Sequence, residues 1–529
     1  MGRMQYPAMP GKTSRIDQLL LVFISLLAAL PAFGTSAATS LRIGLDFVAA
    51  SADPQAIAAP SSHALAFHIF ESLVMWDGGD RIKPVLAQEW RREGPTRWSF
   101  TLRSDVRFHD GHPLGPADLA FTFCRLARLE GQLQGLIYNI VRTEAPGQNR
   151  VQIDTRSPMS NLPRQLSRLA IIGAPPGWRG DYAAESCPPT DQYKPADFNA
   201  GRVPGSGPYR LTGFKAGVSA LLQRYPGYWG EPPDWDRVEM TAIPEGAERA
   251  RAVISRKVDI INRPPLESTS FFDQHPHTRI VTGGISRTLF LLPNTRKRTG
   301  AVSLDSAAVR QAISAAIDRR GLADRLMGGL ALPAFQPLPP DDPAYPGLRE
   351  ELPTPPPGTR LPQKLEITTP PTFRRVADGV ARYLRLAGVQ VDIRDVPSEA
   401  LPGLLESGDF DMMMIGRVMF DGDLAQQTRD TLVTRDSARG AGAGNFQGYS
   451  NAELDGLVER AMATEDKTER AALTRQISTL VMRELPTIPL LHIARSWAMN
   501  ADLGYLDQPD GLTLAANVMP LVATPARMR

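Results

Sequence analysis

Cysteine is scarce in this chain: 529 residues contain only two, Cys124 and Cys187. So few cysteines exclude a four-cysteine zinc site and a domain held together mainly by disulfides. An oxidising compartment would allow one disulfide between the two side chains. Two separate buried thiols would require no such proximity. The sequence leaves both alternatives open.

Long apolar runs are also scarce, and the clearest one lies at the N-terminus. The run 19–33 is shorter than the ~20 residues that a membrane-spanning helix requires. It follows Arg15 and gives way to small residues, and this order is typical of a cleavable secretory signal. We therefore predict a signal peptide over 1–38, cleaved after Ala37 or Ala38, and a soluble protein exported to the periplasm.

Neither sign of charge predominates. Lys and Arg number 59 against 56 Asp and Glu, a formal net charge of +3, and the positive residues are scattered along the chain. This balance argues against a nucleic acid or an anionic membrane as the partner. The apolar fraction is 42%, and the chain is too long for a single hydrophobic core. The composition therefore predicts a soluble globular protein with at least two lobes.

Motifs that would carry catalysis or hold a metal are missing as well. The chain has no Gly-x-Ser-x-Gly elbow, no His-Glu-x-x-His and no Cys-x-x-Cys. His109 and Asp110 could form half of a catalytic dyad, but the glycine that follows them favours a turn. His275 and His277 flank a proline without a carboxylate or cysteine pattern nearby, which is a weak signal for a metal site. We therefore expect no enzyme activity, no cofactor and no metal.

The chain does contain alternating strand-like and helix-like segments. Residues 98–102 predict a half-buried strand that continues at 106–108, and 411–415 predict a buried strand. A helix is predicted to begin at Pro116, and apolar spacing predicts a long helical stretch over 454–485. The fold class that follows is mixed α/β.

Six groups of motifs span residues 69–490. The most specific is Trp98-Ser99-Phe100-Thr101-Leu102-Arg103 leading into Phe108-His109-Asp110-Gly111-His112-Pro113-Leu114. The others lie at 69–73 with 84–90, 205–209 with 225–230, 309–313 with 316–319, 410–412, and 448–451 with 485–490. Together and in this order they resemble the family 5 extracellular solute-binding proteins, which serve peptide, nickel and related importers.

The resemblance implies a two-lobed periplasmic-binding-protein fold of type II, with two hinge crossovers and an extra N-terminal subdomain. The first lobe would comprise residues 39–275, with the extra subdomain at about 75–170. The second lobe would comprise 276–489, and 490–529 would return to the first lobe. Closure of the two lobes on a ligand would be a shift between two populated states.

The resemblance also implies a function. The chain would be the periplasmic substrate-binding component of an ABC transporter that imports peptides or peptide-like and opine-like solutes. Its partners would be the small-molecule ligand, a pair of membrane permeases and their ATPases, with the binding protein itself a monomer. Two alternatives stay open: a periplasmic sensor or chaperone that uses the same closing fold, and a periplasmic hydrolase, for which no nucleophile–base pair is recognisable.

The segment after the buried strand at 411–415 bears on the ligand. Peptide binders of this family typically have Gly-Trp here, followed three residues later by an Asp that pairs with the ligand's α-ammonium group. In this chain Arg417 stands at the Trp position and Phe420 at the Asp position, while Asp421 and Asp423 follow. A guanidinium suits a carboxylate or a phosphate, so we predict a ligand site at these four residues and a peptide-like or anionic ligand. The alternative for Arg417 is an ordinary surface arginine.

Overall fold

The computed structural model describes residues 39–521, except for 57–59, 79–80, 130–131, 160, 266–270, 273, 297, 300–301, 341–351, 398–399, 419–423, 437–440 and 465. From Ser40 onward the chain forms one unit. Within the described part, none of the helices combines the length and the apolar character that a membrane span requires.

Strands form the frame of the molecule. They are β1 (Ser40–Leu45), β2 (Val74–Trp76), β3 (Ile82–Pro84), β4 (Ala87–Gly94), β5 (Arg97–Leu102), β6 (Ile140–Gly147), β7 (Arg150–Thr155), β8 (Tyr209–Lys215), β9 (Ser219–Arg224), β10 (Arg237–Ala242), β11 (Ile260–Asn262), β12 (Thr278–Pro293), β13 (Arg298–Thr299), β14 (Val302–Ser303), β15 (Ala331–Pro333), β16 (Lys364–Thr369), β17 (Gln390–Asp395), β18 (Met412–Val418), β19 (Ile488–Asn500), β20 (Leu503–Tyr505) and β21 (Val518–Pro520).

Helices pack on this frame and connect its strands. They are α1 (Pro60–Ile69), α2 (Pro116–Arg128), α3 (Leu162–Leu166), α4 (Pro195–Asn199), α5 (Gly246–Ile254), α6 (Ala307–Ala315), α7 (Arg319–Leu326), α8 (Arg374–Leu386), α9 (Leu401–Ser407), α10 (Leu424–Thr431), α11 (Ala452–Ala463) and α12 (Lys467–Glu484).

The main sheet is centred on two long antiparallel strands. Its order is β17-β16-β18-β12-β19-β11-β1-β10-β9-β8, with β15 added on β19. The central strands β12 and β19 have 16 and 13 residues. Because β18 pairs with one end of β12 and β11 pairs at the opposite end of the β12–β19 pair, these two strands serve both halves of the sheet. Bulges in β12 on either side of Ile285 bend it between the halves.

Residues 73–182 contain a separate hydrophobic core beneath the four-stranded sheet β4-β5-β7-β6. Helix α2 packs on it because its apolar residues recur at helical spacing, among them the fully buried Leu119 and Phe123. Cys124 of α2 and Cys187 form a disulfide, with Cα atoms 5.5 Å apart. Of the two alternatives that the sequence leaves open, the structure therefore contains the bonded one.

The other half of the main sheet has a core of its own between the sheet and helices α6, α7 and α8. Helix α8 buries one face there, through Val376, Ala377, Val380, Ala381 and Leu384. The fully buried Leu365, Ile367, Met412 and Met414 cover the facing side of β16 and β18. Helices α10, α11 and α12 enclose a further apolar cluster.

The mixed α/β class is confirmed, but two predictions of local structure are wrong. Residues 106–108 are not a strand: Phe108 donates its backbone N–H to the carbonyl of His112 in a tight turn. Their alternation reflects burial of Val106 and Phe108 in the core beneath the four-stranded sheet. The stretch 454–485 forms two helices, because Asp466 caps the second by accepting hydrogen bonds from the first backbone N–H groups of α12.

Candidate functional site

Charged residues collect where the two halves of the main sheet meet. Asp46 directly follows β1, which pairs in parallel with β10 and β11, so it lies at the carboxyl end of parallel strands, where ligands commonly bind. Arg287 and Arg417 lie on the neighbouring strands β12 and β18. We call Asp46, Asn262, Arg263 and Arg287 the crossing site; Arg417, on the next rung of the ladder, leaves the sheet on the opposite face.

The Asp46 carboxylate is held by two neighbours on the β11 side. Asn262 donates from Nδ2 to Oδ1 of Asp46 at 2.8 Å and accepts the Asp46 backbone N–H at 2.9 Å. Nη1 of Arg263 lies 2.5 Å from Oδ2. Burial alone would raise the pKa of Asp46, but the charges of Arg263, Arg249 and Arg287 and the hydrogen bond from Asn262 lower it. Asp46 is therefore a carboxylate whose acceptor oxygens are already engaged.

Arg263 has an unusual backbone conformation for a residue with a side chain. Its φ is +44°, in the left-handed region that disfavours non-glycine residues. Its backbone N–H donates to the carbonyl of Ser496 on β19, and its guanidinium binds Asp46. The strain is therefore maintained by contacts on both sides of the residue, at the point where β11 ends.

Arg287 is half-buried on β12, opposite Val418 of β18. Its Nε is enclosed by protein, and none of the described residues offers it a hydrogen-bond acceptor. Burial and the charge of Arg263 together lower the pKa of Arg287 to about 9, against the opposing charge of Asp46. Within the described part of the chain, no carboxylate lies within ion-pair distance of this guanidinium. Arg287 is thus a half-buried cation whose enclosed Nε faces no acceptor among the described residues.

Gly416 makes room for Arg287. A Cβ at this position would lie 3.1 Å from Cδ of Arg287 and 3.0 Å from the ring of Phe373, closer than such atoms normally approach. A side chain at Gly416 would therefore displace the arginine or the ring.

Arg417 lies on the next rung of the same strand pair, opposite Thr288. Its Nη1 donates to Oγ1 of Thr431 at 2.7 Å, and its guanidinium carbon is 5.9 Å from the centre of the Phe290 ring. Burial lowers the pKa of Arg417 to about 10. No carboxylate pairs with Arg417 among the residues that the structure describes. The other predicted ligand residues, Phe420, Asp421 and Asp423, lie outside the described residues.

Two other buried arginines show what a structural arginine looks like in this fold. Arg310 and Arg319 are almost fully buried, and burial lowers the pKa of Arg319 to about 10. Each, however, donates to several backbone carbonyls, those of Leu304, Asp305, Glu484 and Leu485 for Arg310 and those of Ser314, Ile317, Ala334 and Pro489 for Arg319. Within the described part of the chain, by contrast, Nε of Arg287 has no acceptor and Arg417 donates to the hydroxyl of Thr431.

The histidines considered as catalytic or metal-binding groups have backbone partners. A ring nitrogen of His109 is 2.9 Å from the carbonyl oxygen of Gly207. His275 and His277 likewise contact the carbonyls of Phe271 and Ile254. Among the described residues, no three His, Cys, Asp or Glu side chains are grouped so that they could hold a metal ion.

Sequence reasoning proposed Arg417 as a ligand residue, which stays a prediction, and did not consider Asp46, Arg263 or Arg287. One signal was available for Asp46, because it follows the apolar run of β1 at the strand's carboxyl end. A second was available for Arg287, a lone charge directly before the apolar residues 289–292 of β12. That no described residue offers an acceptor to Nε of Arg287 could be recognised only from the folded structure.

Comparisons with known proteins give the fold and site a context. The family model "Bacterial extracellular solute-binding proteins, family 5 Middle" matches residues 81–434. The nickel-binding periplasmic protein of Escherichia coli (strain K12) is 25% identical over 470 residues, covering 82% of this chain and 86% of that protein.

Two solved structures show the same fold. The dipeptide-binding protein of Pseudoalteromonas sp. SM9913, in complex with Met-Leu, has a TM-score of 0.77 at 19% identity, covering 91% of this chain and 100% of that one. The binding protein AgaA of A. tumefacien R10, in complex with agropinic acid, has a TM-score of 0.73 at 19% identity, covering 91% and 98%.

Proposed function

The chain belongs to the family 5 bacterial extracellular solute-binding proteins, and from this membership we propose that it is the periplasmic substrate-binding component of an ABC importer. The family consists of substrate-binding proteins, and we extend this to propose that the chain has no enzyme activity. Its partners would be a membrane permease pair with their ATPases, and it would act as a monomer.

The single observation that carries the proposal about the ligand is the partly buried guanidinium of Arg417. Among the described residues its hydrogen-bond partner is the hydroxyl of Thr431, and no carboxylate there pairs with it. A desolvated guanidinium binds a carboxylate or a phosphate through charge-assisted hydrogen bonds. We therefore propose a solute with an anionic group, either peptide-like or opine-like with a carboxylate, or a phosphorylated conjugate.

The ligands of the similar proteins support a small solute without choosing among these classes. They include nickel, a dipeptide and agropinic acid. A dipeptide and an acid both carry a carboxylate that an arginine can bind. The similarity in fold allows each of these ligands equally, so the ligand class rests on the residues of this chain.

Export and closure belong to the same proposal. A signal peptide over 1–38 would be removed, so that the mature chain begins near Ala38 or Thr39. Lobe I at 39–275, its extra subdomain at about 75–170, lobe II at 276–489 and the return at 490–529 would enclose the solute. The long strands β12 and β19, which serve both halves of the main sheet, are suited to act as the two crossovers.

Native mass spectrometry of the protein isolated from its own periplasm tests the proposal. We expect a mature chain that begins near residue 38 and retains a small anionic solute, which is released on mild unfolding. The Arg417→Ala variant, isolated in the same way, should retain much less of it. A chain that keeps residues 1–30, or a wild-type protein that neither retains nor binds any solute, would contradict the proposal.

A further inference from the structure

The two central strands of the main sheet lose their register beside a pair of glycines. Thr282 of β12 pairs with Ser496 of β19, and the next paired residue of β12 is Ile285, so that Gly283 and Gly284 stand outside the ladder. A bulge of this kind bends its strand and increases the local twist. Because β12 and β19 are the proposed crossovers, this bulge lies where closure would bend the molecule.

Asp507, in the C-terminal segment that returns to lobe I, lies directly against the bulge. Its Oδ2 accepts the backbone N–H of Gly284 at 3.0 Å. A Cβ at Gly283 would overlap the same carboxylate, since packed atoms do not approach so closely. Position 283 therefore has room for the carboxylate because it is a glycine.

Arg495 of β19 binds this carboxylate in a bidentate pair. Its Nε donates to Oδ1 of Asp507 and its Nη2 donates to Oδ2, each at 2.7 Å, while Nη1 donates to the carbonyl of Ile285 at 2.9 Å. Only 11% of the arginine side chain and 23% of the aspartate side chain are exposed. Such a pair fixes direction as well as charge. One guanidinium therefore joins both crossover strands and the returning segment.

The returning segment turns closely around this guanidinium. The carbonyl of Pro509 accepts a hydrogen bond from Nη1 of Arg495 at 3.2 Å. Gly511 has a φ of +67°, and a Cβ there would lie 2.8 Å from Cδ of Arg495. Residues 507–511 thus pack around a side chain of β19 without belonging to either crossover strand.

We infer that Arg495 and Asp507, which we call the hinge pair, couple the two crossovers. The pair fastens the bulge of β12 to β19 and to the returning segment, so that the two strands bend together rather than separately. This inference rests on the proposed closure of the lobes and deepens it by naming the residues about which they turn. The hinge pair would act on the solute only through the ratio of open to closed protein.

Distances between spin labels on the two proposed lobes test the inference without any solute. Both native cysteines are joined in the disulfide, so labels can be attached selectively through Arg237→Cys in β10 and Arg460→Cys in α11, both at exposed positions. Dialysis under mildly unfolding conditions then removes co-purified solute. We expect Asp507→Asn to give a wider distribution of distances than the wild type in double electron–electron resonance. Equal widths would overturn the inference.

A matched ion pair separates the hinge from general stability. Arg97 of β5 and Asp154 of β7 form an equally bidentate pair, at 2.6 and 2.7 Å. Asp154→Asn should lower the Tm, as Asp507→Asn should, but it should leave the distribution of distances unchanged. If both variants widened the distribution equally, the hinge pair would have a structural role only and the inference would be wrong.

A double-mutant cycle tests the contact with the bulge. Gly283→Ala should widen the distribution as Asp507→Asn does, because the added methyl group displaces the carboxylate. In an Asp507→Ala background the same change should add nothing, since the carboxylate is already absent. Gly94→Ala, where a Cβ would meet no atom within 4 Å, is the control. Equal widening by Gly283→Ala in both backgrounds would attribute the effect to the bulge alone and overturn the inference.

Solute binding distinguishes a failure of this inference from a failure of the proposed function. The probe is the small-molecule fraction released from the wild-type protein, used in parallel titrations. It should shorten the distance in the wild type and bind Asp507→Asn about 3- to 10-fold more weakly, because a smaller fraction of the variant is competent to close. A wild type that closes, with a variant that closes and binds equally well, would overturn the hinge pair and leave the importer function intact. A wild type that binds nothing or does not close would overturn both.

Discussion

Nε2 of Gln165 donates a hydrogen bond of 2.9 Å to Oε1 of Gln426, and both side chains are buried. Gln165 lies on α3, whose Leu162 packs in the core beneath the four-stranded sheet, and Gln426 lies on α10, whose Leu424 packs in the cluster of α10, α11 and α12. The bond therefore joins two separate apolar clusters. In the proposed lobe arrangement it connects the extra subdomain to lobe II.

If this bond holds the lobes together, replacing either glutamine by alanine should favour the open form of the ligand-free protein. A net hydrogen bond of about 0.5–1.5 kcal/mol corresponds to a shift of about 2- to 10-fold in the ratio of open to closed protein. Small-angle scattering should then show a similar increase in radius of gyration for Gln165→Ala, Gln426→Ala and the double variant, because all three lose the bond between the two glutamines. Gln426→Ala also removes a bond to Asp430, but that bond lies within α10 and joins no second cluster.

The exposed Gln88 of β4 provides the control, and Gln88→Ala should leave the radius unchanged. Additive increases in the two single variants, or no increase in either, would show that the bond does not couple the lobes.

Arg417→Ala should weaken binding of the co-purified solute roughly 10- to 100-fold, because the lost charge-assisted bonds contribute on the order of 1.5–3 kcal/mol. Arg417→Lys should recover only part of the affinity, since a point charge lacks the planar fork. Titration calorimetry measures both. Arg460→Ala serves as the matched exposed control.

Asp421→Asn addresses the opposite hypothesis, that the ligand is held by its amine. A protein that loses binding with Asp421→Asn but tolerates Arg417→Ala would be an ordinary peptide binder with a shifted carboxylate. The proposal of an anionic solute would then be wrong, whereas the proposed importer function would be unaffected.

The strand-and-helix order could be predicted from the sequence because it depends on local patterns, but Arg417, expected after the strand at 411–415, lies inside β18. The composition of the crossing site could not be predicted. Asp46 and Asn262 are separated by more than 200 positions in the chain, and Arg287 meets β18 only through the pairing of β12 with β18. Among the described residues, Nε of Arg287 has no acceptor, and only the packed structure shows those surroundings.

The disulfide between Cys124 and Cys187 should contribute substantially to stability. It closes a loop with a sequence separation of 63, for which chain entropy gives on the order of 4 kcal/mol. We expect the Cys124→Ser, Cys187→Ser double variant to unfold at a lower urea concentration than the oxidised wild type. Reduction with dithiothreitol should lower the midpoint of the wild type by a similar amount and leave that of the variant unchanged. An unaffected wild-type midpoint would contradict this contribution.

Glu71 should make stability fall as the pH rises toward neutrality. Its carboxylate accepts hydrogen bonds of 2.9 Å from the hydroxyl of Tyr228 and from the indole N–H of Trp229. Burial nevertheless raises the pKa of Glu71 to about 7 from an ordinary value of 4.5. Below pH 4.5 the carboxyl is protonated in both folded and unfolded chains, and its contribution to stability is fully present.

Between pH 4.5 and 7 the unfolded chain releases this proton while the folded chain retains it. The contribution is therefore lost as the pH rises through the folded pKa, by on the order of 3 kcal/mol. Glu71→Gln cannot ionise, so the free energy of unfolding of the variant minus that of the wild type should increase between pH 5 and pH 8. Urea unfolding at several pH values measures this difference. The contribution of the buried histidines to the pH dependence is the same in both proteins and therefore cancels. Glu89→Gln, at an exposed position of β4, is the control: its free energy of unfolding minus that of the wild type should not depend on pH. If the difference for Glu71→Gln were equally independent of pH, Glu71 would be ionised at neutral pH in the folded protein.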